Sequence, residues 1–308
     1  MNTVNIMREK AQTGIETDEA LYLNLLKECL TASIYEESSW RVIEARGSLP
    51  ASGWNIAVAI KNWLRRMIVT QLQKRSLCLV RRNRFNAEER EAGGDWPCFG
   101  YTMIGGRGLD TIQRCVQGVL KHQIPGDFIE TGAWRGGAAI FMRALLRASS
   151  VKDRIVWVAD SFQGLPEPKN AEDGWDLSHV NHLKVSLDQV RANFRRFGLL
   201  DDQVRFLPGW FRDTLPGAPI KQLALLRLDG DLYSSTMDAL SSLYFKVSPG
   251  GYVIVDDYFS WPSCKRAVDD FLREHGISVR IEEFQKGIAC WSVPASHLSN
   301  SESAITIG

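Results

Sequence analysis

The sequence of 308 residues predicts an α/β fold, in which a doubly wound, mostly parallel sheet carries helices on both faces. Short apolar runs rich in branched side chains alternate with helical patterns after residue 127, as is typical of buried parallel strands. Two of these runs are followed by two acids each, and another is followed by a Gly-rich turn. Because ligands of open α/β sheets bind beyond the carboxyl ends of the strands, these turns mark the predicted site.

The first 93 residues are predicted to form a helical extension. Apolar residues recur at helical spacing from Asp18 to Glu36, which indicates an amphipathic helix. A second helical pattern, from Ile56 to Arg84, is locally basic. Such a helix could lie on anionic lipid or bind a phosphorylated ligand. We favour the alternative, a solvated basic face on a helix whose apolar side is buried in the core or against a dimer partner.

The sheet domain is predicted to span residues 94–295, after a charged, Gly-containing connection over residues 84–97. Helices are expected through residues 109–120, 136–148 and 185–194. The expected strands cover residues 127–130, 155–160, 204–207, 223–228 and 252–255, followed by a terminal pair at 277–283 and 287–293. An irregular insertion, which begins at Gln163 and contains Trp175, could extend to His182 as a substrate lid. The Ser-rich residues 296–308 are predicted to be disordered.

Composition excludes several classes of protein. The formal net charge of +1 argues against a dedicated nucleic-acid-binding protein. The six cysteines are scattered without a Cys-x-x-Cys pair, so neither a zinc site nor a disulfide framework is indicated. The first twenty residues lack the apolar segment of a signal peptide, and no apolar run approaches membrane-spanning length. We therefore expect a cytoplasmic protein without a transmembrane segment, for which the basic helix allows at most a weak membrane-surface contact.

Four acids follow the two apolar runs that end in acids: Asp229, Asp231, Asp256 and Asp257. Parallel strands would place these carboxylates in one crevice, where they repel one another unless a cation or protons compensate. Oxygen ligands of this kind suit Mg²⁺ or a similar hard divalent ion. Any one of the acids could instead cap a helix. Since capping does not readily explain the adjacent pair Asp256-Asp257, a metal site is favoured.

The turn after the first core strand, ETGAWRGG at residues 130–137, lets a ligand approach the backbone at a helix N-terminus. It departs from Gly-x-Gly-x-x-Gly, which disfavours a dinucleotide. Glu130 could accept a hydrogen bond from an amino group, and Asp160, at the end of the next strand, could accept from ribose hydroxyls. Together they suit S-adenosylmethionine. Each acid could also have a local role, Glu130 in the loop and Asp160 as a cap.

Six motifs in the same order resemble the macrocin O-methyltransferase family. They are ETGAWRGG at 130–137, VADSFQGLP at 158–166, VRANF at 190–194, LPGWFRDTLP at 207–216, RLDGDLYSST at 227–236 and GYVIVDDY at 251–258. The resemblance covers about residues 94–291 and implies a class I methyltransferase, Rossmann-like sheet of seven strands. It also implies S-adenosylmethionine as donor, Mg²⁺ as cofactor and an acceptor hydroxyl on a sugar of an antibiotic or related glycoconjugate.

The resemblance further implies roles for residues at the matching motif positions. Asp229, Asp256 and Asp257 correspond to metal ligands, and Asp231 corresponds to the general base. Glu130, Thr131, Gly132, Asp160 and Ser161 correspond to donor-binding positions, with Gly209 and Trp210 towards the adenine and Met103 in a lid over the donor.

In the predicted reaction, two neighbouring hydroxyls of the acceptor chelate the metal, and Asp231 takes the proton of one of them. A catechol-like phenol is the alternative acceptor, because it also offers a diol. His179, His182 and His275 are alternative bases, although a structural role is the better interpretation of each. An NAD-dependent oxidoreductase and a non-catalytic binding protein are the other classes considered. The expected partners are a small-molecule or glycoconjugate acceptor and a second copy of the chain.

Overall fold

The computed structural model describes residues 17–36, 40–42, 56–73, 80–82, 84–174, 176–285 and 287–295. The helices are α1 (Asp18–Thr31), α2 (Ile56–Gln73), α3 (Ala87–Glu91), α4 (Gly105–Lys121), α5 (Gly137–Ala148), α6 (Leu187–Arg196), α7 (Phe211–Thr214), α8 (Tyr233–Leu243) and α9 (Pro262–Glu274). The strands are β1 (Trp40–Val42), β2 (Val80–Arg82), β3 (Asp127–Thr131), β4 (Val156–Asp160), β5 (Val204–Pro208), β6 (Leu223–Leu228), β7 (Val247–Val255), β8 (Glu282–Gln285) and β9 (Ile288–Ser292). Trp175 and the predicted disordered tail lie outside the described residues.

A sheet of seven strands in the order β5-β4-β3-β6-β7-β9-β8 forms the centre of the fold. Strands β3 to β7 are parallel, whereas β9 is antiparallel to both β7 and β8. The chain moves outwards from β3 to β5 and then returns to place β6 beside β3, so the strand order reverses between β3 and β6. Open α/β sheets form their ligand crevice at such a reversal. The predicted mostly parallel sheet with a terminal antiparallel pair is confirmed.

Helices cover both faces of this sheet. Phe128 is buried in one apolar layer with residues of α1, α4 and α5, whereas its neighbour Ile129 lies in the opposite layer with residues of α8 and α9. Burial of both faces explains why the strands are continuous apolar runs rather than alternating ones. All six residues of β6 are buried, five apolar ones and Arg227.

Helix α1 packs on the sheet domain through one side of its surface. Leu23, Leu26 and Leu30 join the apolar layer formed with α4 and α5. The helix begins where the side chain of Thr17 accepts a hydrogen bond from the Ala20 amide at 3.2 Å. It ends at Thr31, because the next residue adopts the left-handed conformation that terminates helices. The predicted helix reaching Glu36 is therefore too long, and a 3₁₀ turn follows instead.

Helix α2 begins where the basic pattern begins but ends at Gln73, so the prediction of a helix up to Arg84 is wrong. The β2 segment instead pairs with β1 in a two-stranded antiparallel ribbon. Five apolar side chains of α2 at helical spacing are exposed: Ile60, Trp63, Leu64, Met67 and Ile68. These five side chains are therefore not buried in the core of the same chain. No helix in the described ranges is long and apolar enough to cross a membrane.

Two strands near the edge of the sheet differ from the predictions. β7 begins at Val247 rather than at the predicted residue 252. The prediction missed its first residues because a proline and glycines interrupt the apolar pattern there. β8 begins later than the predicted residue 277. Three alternating apolar residues, Ile277, Val279 and Ile281, pack against the layer that contains α9. Pairing with β9 starts only at Glu282, so the alternation indicated one buried face rather than strand pairing.

An ion pair between the buried Arg143 and the exposed Asp201 lies near the amino end of β5, opposite to the reversal crevice. Arg143 donates to both carboxylate oxygens of Asp201, at 3.0 and 2.6 Å. Its hydrogen bond lowers the pKa of Asp201, so the pair stabilises the fold above the unfolded carboxyl pKa of about 3.9 and is lost as the pH falls through the lower folded value. We expect Asp201→Asn to cost about 1 kcal/mol at pH 7 and progressively less below about pH 4. Urea unfolding of both proteins across this pH range is the measurement, and a cost independent of pH would contradict it.

Candidate active site

A cleft opens at the carboxyl ends of the strands where their order reverses. Four segments form its walls: the turn after β3, the end of β4 with the following loop, the turn after β5, and the turn between β6 and α8. The position predicted from the strand ends and the position of the cleft therefore coincide.

Gly132 joins the turn after β3 to the end of β6. Its φ is +89°, and a Cβ at this position would lie 1.7 Å from the carbonyl oxygen of Asp229. Only glycine fits such a close approach of two backbones. The Gly132 amide also donates to the carbonyl of Ala159 in β4 at 2.9 Å. The turn at residues 130–137, the glycine turn, therefore contacts both strands that flank β3, and Gly132 lines the cleft.

Asp160 lines the cleft and also organises the glycine turn. Its Oδ2 accepts from the amides of Ala133 and Trp134 at 2.7 and 3.2 Å, and its Oδ1 accepts from the Phe162 amide at 2.6 Å. Burial raises the pKa of Asp160, while these amide donors act in the opposite direction. Ser161, which also lines the cleft, donates its hydroxyl to a backbone carbonyl of the next loop at 2.7 Å. Both residues therefore shape the loops around the cleft.

Glu130 and Thr131 do not line the cleft. The buried carboxylate of Glu130 accepts from Arg227 Nη1 at 2.7 Å and from the Ala139 amide at 2.9 Å. Thr131 donates its hydroxyl to the carbonyl of Arg227 at 3.3 Å. Burial raises the pKa of Glu130 to about 7, and the Arg227 guanidinium and the Ala139 amide oppose this rise. The geometry therefore favours a supporting position for both residues behind the glycine turn.

Gly209 and Trp210 belong to the turn after β5, and Met103 brings one further segment, the one before α4, to the same cleft. Gly209 has a φ of +136°, and its amide donates to the carbonyl of Asp160 at 2.9 Å. Trp210 immediately precedes the short helix α7. The structure thus gathers these residues with Gly132, Asp160 and Ser161 around one space, as the predicted donor site requires.

Three acids meet at the ends of β6 and β7. Asp229, Asp256 and Asp257 each offer one carboxylate oxygen, and these oxygens lie within 4.8 Å of one another. Such a cluster of oxygen donors fits a hard divalent cation. Burial and the neighbouring carboxylates raise the pKa of Asp229 and of Asp257 well above the usual range. Raised pKa values are the expected behaviour of clustered like charges, and a bound cation would relieve the repulsion.

Asp231 lies two residues after Asp229 and lines the cleft. Its backbone is left-handed, with a φ of +56°, a conformation that is uncommon outside Gly, Asn and Asp. Two contacts hold it: its amide donates to Asp257 Oδ2 at 3.3 Å, and its carbonyl accepts from Ser263 Oγ at 3.1 Å. Burial and the charge of Asp256 raise the pKa of Asp231 to about 6. Strained backbones of this kind are frequent at functional sites.

A family model described as Macrocin-O-methyltransferase (TylF) matches residues 19–292. The chain belongs to the macrocin O-methyltransferase family. Demethyldecarbamoylnovobiocin O-methyltransferase of Streptomyces niveus is 44% identical over 289 residues, which cover 91% of this chain and 97% of that protein. The 8-demethyl-8-(2,3-dimethoxy-alpha-L-rhamnosyl)-tetracenomycin-C 4'-O-methyltransferase of Streptomyces olivaceus is 53% identical over 211 residues, 67% of this chain and 80% of that protein. The solved structure of the O-methyltransferase NovP has a TM-score of 0.71 and 42% identity, and the match covers 90% of this chain and 100% of that one.

This member of the macrocin O-methyltransferase family is therefore an S-adenosylmethionine-dependent O-methyltransferase with the class I fold, as the sequence motifs predicted. The oxidoreductase and non-catalytic alternatives are replaced by this assignment. The members that are similar to it act, by their names, on antibiotic intermediates.

One wall of the methyltransferase cleft was only partly anticipated. The insertion between β4 and α6 contributes Leu165, Pro166, Lys169 and Leu183 to the lining. The indole Nε1 of Trp134 donates to the carbonyl of His182 at 2.9 Å, which links the glycine turn to this insertion. The sequence predicted a possible lid here, but an irregular segment carries no periodicity that would indicate which of its side chains face a ligand.

None of the described residues that line the methyltransferase cleft is a histidine. The ring of His182 packs between Trp96 and Trp134, at centroid distances of 5.8 and 5.4 Å. The ring of His275, just after α9, lies 4.4 Å from that of Phe271. His179 is exposed within the insertion. This geometry favours structural or surface roles for the three histidines.

Arg227 is the functional candidate that received no role from the sequence. It lies within the apolar strand β6, and its side chain is 1% exposed. The available signal was its position, because a charge inside a buried strand must be paired. Its partners are the acids described above.

Proposed function

We propose that this methyltransferase transfers the methyl group of S-adenosylmethionine to a hydroxyl of a sugar, on a secondary metabolite or another glycoconjugate, with Mg²⁺ as cofactor. The observation that carries the proposal is the three-carboxylate cluster, whose member Asp229 lines, together with Asp231, the cleft that also contains the glycine turn. The relative from Streptomyces olivaceus, whose name specifies a rhamnosyl tetracenomycin, supports a glycosylated acceptor.

On the donor side, Gly132 leaves the backbone open to the ligand, and Asp160 accepts hydrogen bonds from the ribose hydroxyls. Gly209 and Trp210 flank the adenine, and Met103 covers the donor. Because Glu130 and Thr131 are bonded to Arg227 and do not line the cleft, we assign them the support of the glycine turn rather than a direct donor contact.

Asp229, Asp256 and Asp257 would hold the Mg²⁺ ion, since one oxygen of each belongs to the same cluster. Bound there, Mg²⁺ would supply a Lewis acid that makes a hydroxyl of the acceptor's vicinal diol easier to ionise. The protein holds the remaining oxygens: Arg227 donates to Asp229 Oδ2 and Asp256 Oδ1, and the Asp231 amide donates to Asp257 Oδ2. Each ligand is thereby left with one oxygen for the ion.

Asp231 acts as the general base, because it lines the cleft beside Asp229. Its carboxylate receives the proton of the acceptor hydroxyl while the hydroxyl oxygen forms a bond to the donor methyl carbon. The bond between that carbon and the sulfonium sulfur breaks, and S-adenosylhomocysteine leaves. The cleft supplies the alignment of oxygen, carbon and sulfur that this displacement needs.

Calorimetric titration of S-adenosylmethionine and S-adenosylhomocysteine, with and without Mg²⁺, tests the donor half. We expect dissociation constants of about 1–100 µM for both compounds, equivalent to roughly −8 to −5 kcal/mol, and no binding of NADH as the control. Methyl transfer is then assayed with a panel of glycosides and a panel of catechols. Turnover of catechols alone would overturn the sugar assignment, and no donor binding would overturn the proposal as a whole.

Three features stay predictions: the domain boundary at residue 93, the cytoplasmic location and the homodimer. The exposed apolar face of α2 supports the homodimer, because such a face is commonly covered by a partner. Sedimentation velocity of the full chain tests it, and a monomer at micromolar concentration would count against it.

A further inference from the structure

The guanidinium of Arg227 lies under the acid cluster, at the ends of three adjacent strands. Nη1 donates to Glu130 Oε1 at 2.7 Å and to Asp229 Oδ2 at 3.0 Å, and Nη2 donates to Asp256 Oδ1 at 2.6 Å. Glu130 belongs to β3, Asp229 follows β6 and Asp256 follows β7, and these strands are neighbours in the sheet. One side chain therefore connects the ends of β3, β6 and β7.

The burial of this group requires an explanation. A buried cation is costly unless its partners are well placed, and a fully apolar β6 would avoid the cost. The partners of Arg227 are not incidental, because two of its three carboxylates belong to the acid cluster. The third, Glu130, also accepts from the Ala139 amide at the start of α5 and so fixes the guanidinium from behind. The arrangement uses both nitrogen branches of the arginine fork.

We propose that Arg227 is a positioning residue for the metal site: it holds one oxygen of Asp229 and one of Asp256, so that their other oxygens face the ion together. The inference rests on the proposed function, because it concerns the same Mg²⁺ ligands. Groups that orient metal ligands from behind typically contribute 10- to 100-fold to affinity, on the order of what is expected here. Arg227 reaches the ion only through these two carboxylates.

Lysine cannot replace arginine in this role. The guanidinium offers a rigid planar fork, whereas an ammonium is a single point charge on a flexible stem. Arg227→Lys keeps the positive charge near the acids but cannot hold Asp229 and Asp256 from two fixed nitrogens. A role in charge compensation alone would tolerate lysine, and a positioning role would not. The substitution therefore separates the two explanations.

The experiment measures Mn²⁺ binding by electron paramagnetic resonance, with Mn²⁺ as the probe, on full-length protein without acceptor. We expect Arg227→Lys to weaken Mn²⁺ binding by about 10- to 100-fold while S-adenosylhomocysteine still binds. The matched control is Arg143→Lys, which alters another buried arginine with a two-oxygen carboxylate partner, away from the cleft. That variant should bind Mn²⁺ as the unaltered protein does, even if its melting temperature falls.

A second variant guards against a folding defect in Arg227→Lys. Glu130→Gln removes the charged anchor of Nη1 but leaves the guanidinium in place, and we expect it to weaken Mn²⁺ binding severalfold. Unchanged Mn²⁺ affinity in the folded variants would overturn the inference. If the unaltered protein itself bound no Mn²⁺, the metal part of the proposed function would fail instead.

Discussion

Asp231→Asn is expected to lower the turnover number by about 10² to 10⁴, the range typical for the loss of a general base. The side-chain amide of asparagine cannot accept the hydroxyl proton, yet it has nearly the same shape as the aspartate carboxylate. Asparagine also tolerates the left-handed backbone at this position, where φ is +56°. The contacts of the Asp231 amide and carbonyl groups can therefore persist. Turnover is measured under saturating donor with the acceptor found in the glycoside screen.

The control for this substitution is Asp213→Asn, which alters an exposed acid on α7 that does not line the cleft. It should retain the turnover number of the unaltered protein. Affinity for S-adenosylhomocysteine should be unchanged in both variants, since neither residue belongs to the proposed donor site. Full turnover in Asp231→Asn would remove the residue from the mechanism, whereas a loss of donor affinity would point to a structural role.

Gly132→Ala is expected to abolish measurable donor binding and to destabilise the fold. The added Cβ would lie 1.7 Å from the carbonyl oxygen of Asp229, so the turn after β3 and the end of β6 must separate. A strained non-glycine backbone costs about 1–3 kcal/mol, and overpacking of a close contact costs about 1–3 kcal/mol more. Calorimetry with S-adenosylhomocysteine and thermal unfolding measure the two effects.

Gly198→Ala separates backbone strain from the clash. Gly198 also has a left-handed backbone, with a φ of +64°, but nothing lies within 4 Å of the position of its Cβ. This variant should lose about 1–2 kcal/mol of stability and keep its donor affinity. If Gly132→Ala behaved in the same way, the close contact with Asp229 would not be what maintains the donor turn.

The candidate site could be predicted from the sequence because its acids and its glycine turn lie at strand ends. The run before Asp229 is apolar except for Arg227, so both its limits and its buried state followed from the pattern, and β6 covers the predicted residues. The acids after β6 and β7 then had to share one edge of the sheet. Motif similarity supplied the donor and the proposed roles, which strand patterns alone leave open.

The supporting contacts could not be derived in the same way. The sequence predicts Glu130 as a donor-binding residue, but its contact with Arg227 could not be derived, because side-chain direction at a strand end depends on partners far away in the sequence. The packing of Trp134 against the insertion likewise joins segments that no local pattern relates. The exposed apolar face of α2 shows the same limit: spacing identified an amphipathic helix, but not what its apolar side contacts.

Some walls of the cleft are formed by strand ends and others by a loop, and this difference determines which walls tolerate substitution. The acids and the glycine turn are anchored in strand ends that neighbouring strands hold on both sides. Leu165, Lys169 and Leu183 come from the loop between β4 and α6, which individual contacts such as the hydrogen bond from Trp134 to the His182 carbonyl hold in place. Loops tolerate substitution and changes of length far better than the elements they connect. Mutations in this loop are accordingly expected to change the contacts with the acceptor while the residues at the strand ends stay in place, which makes it the segment to exchange when the enzyme is engineered for another acceptor.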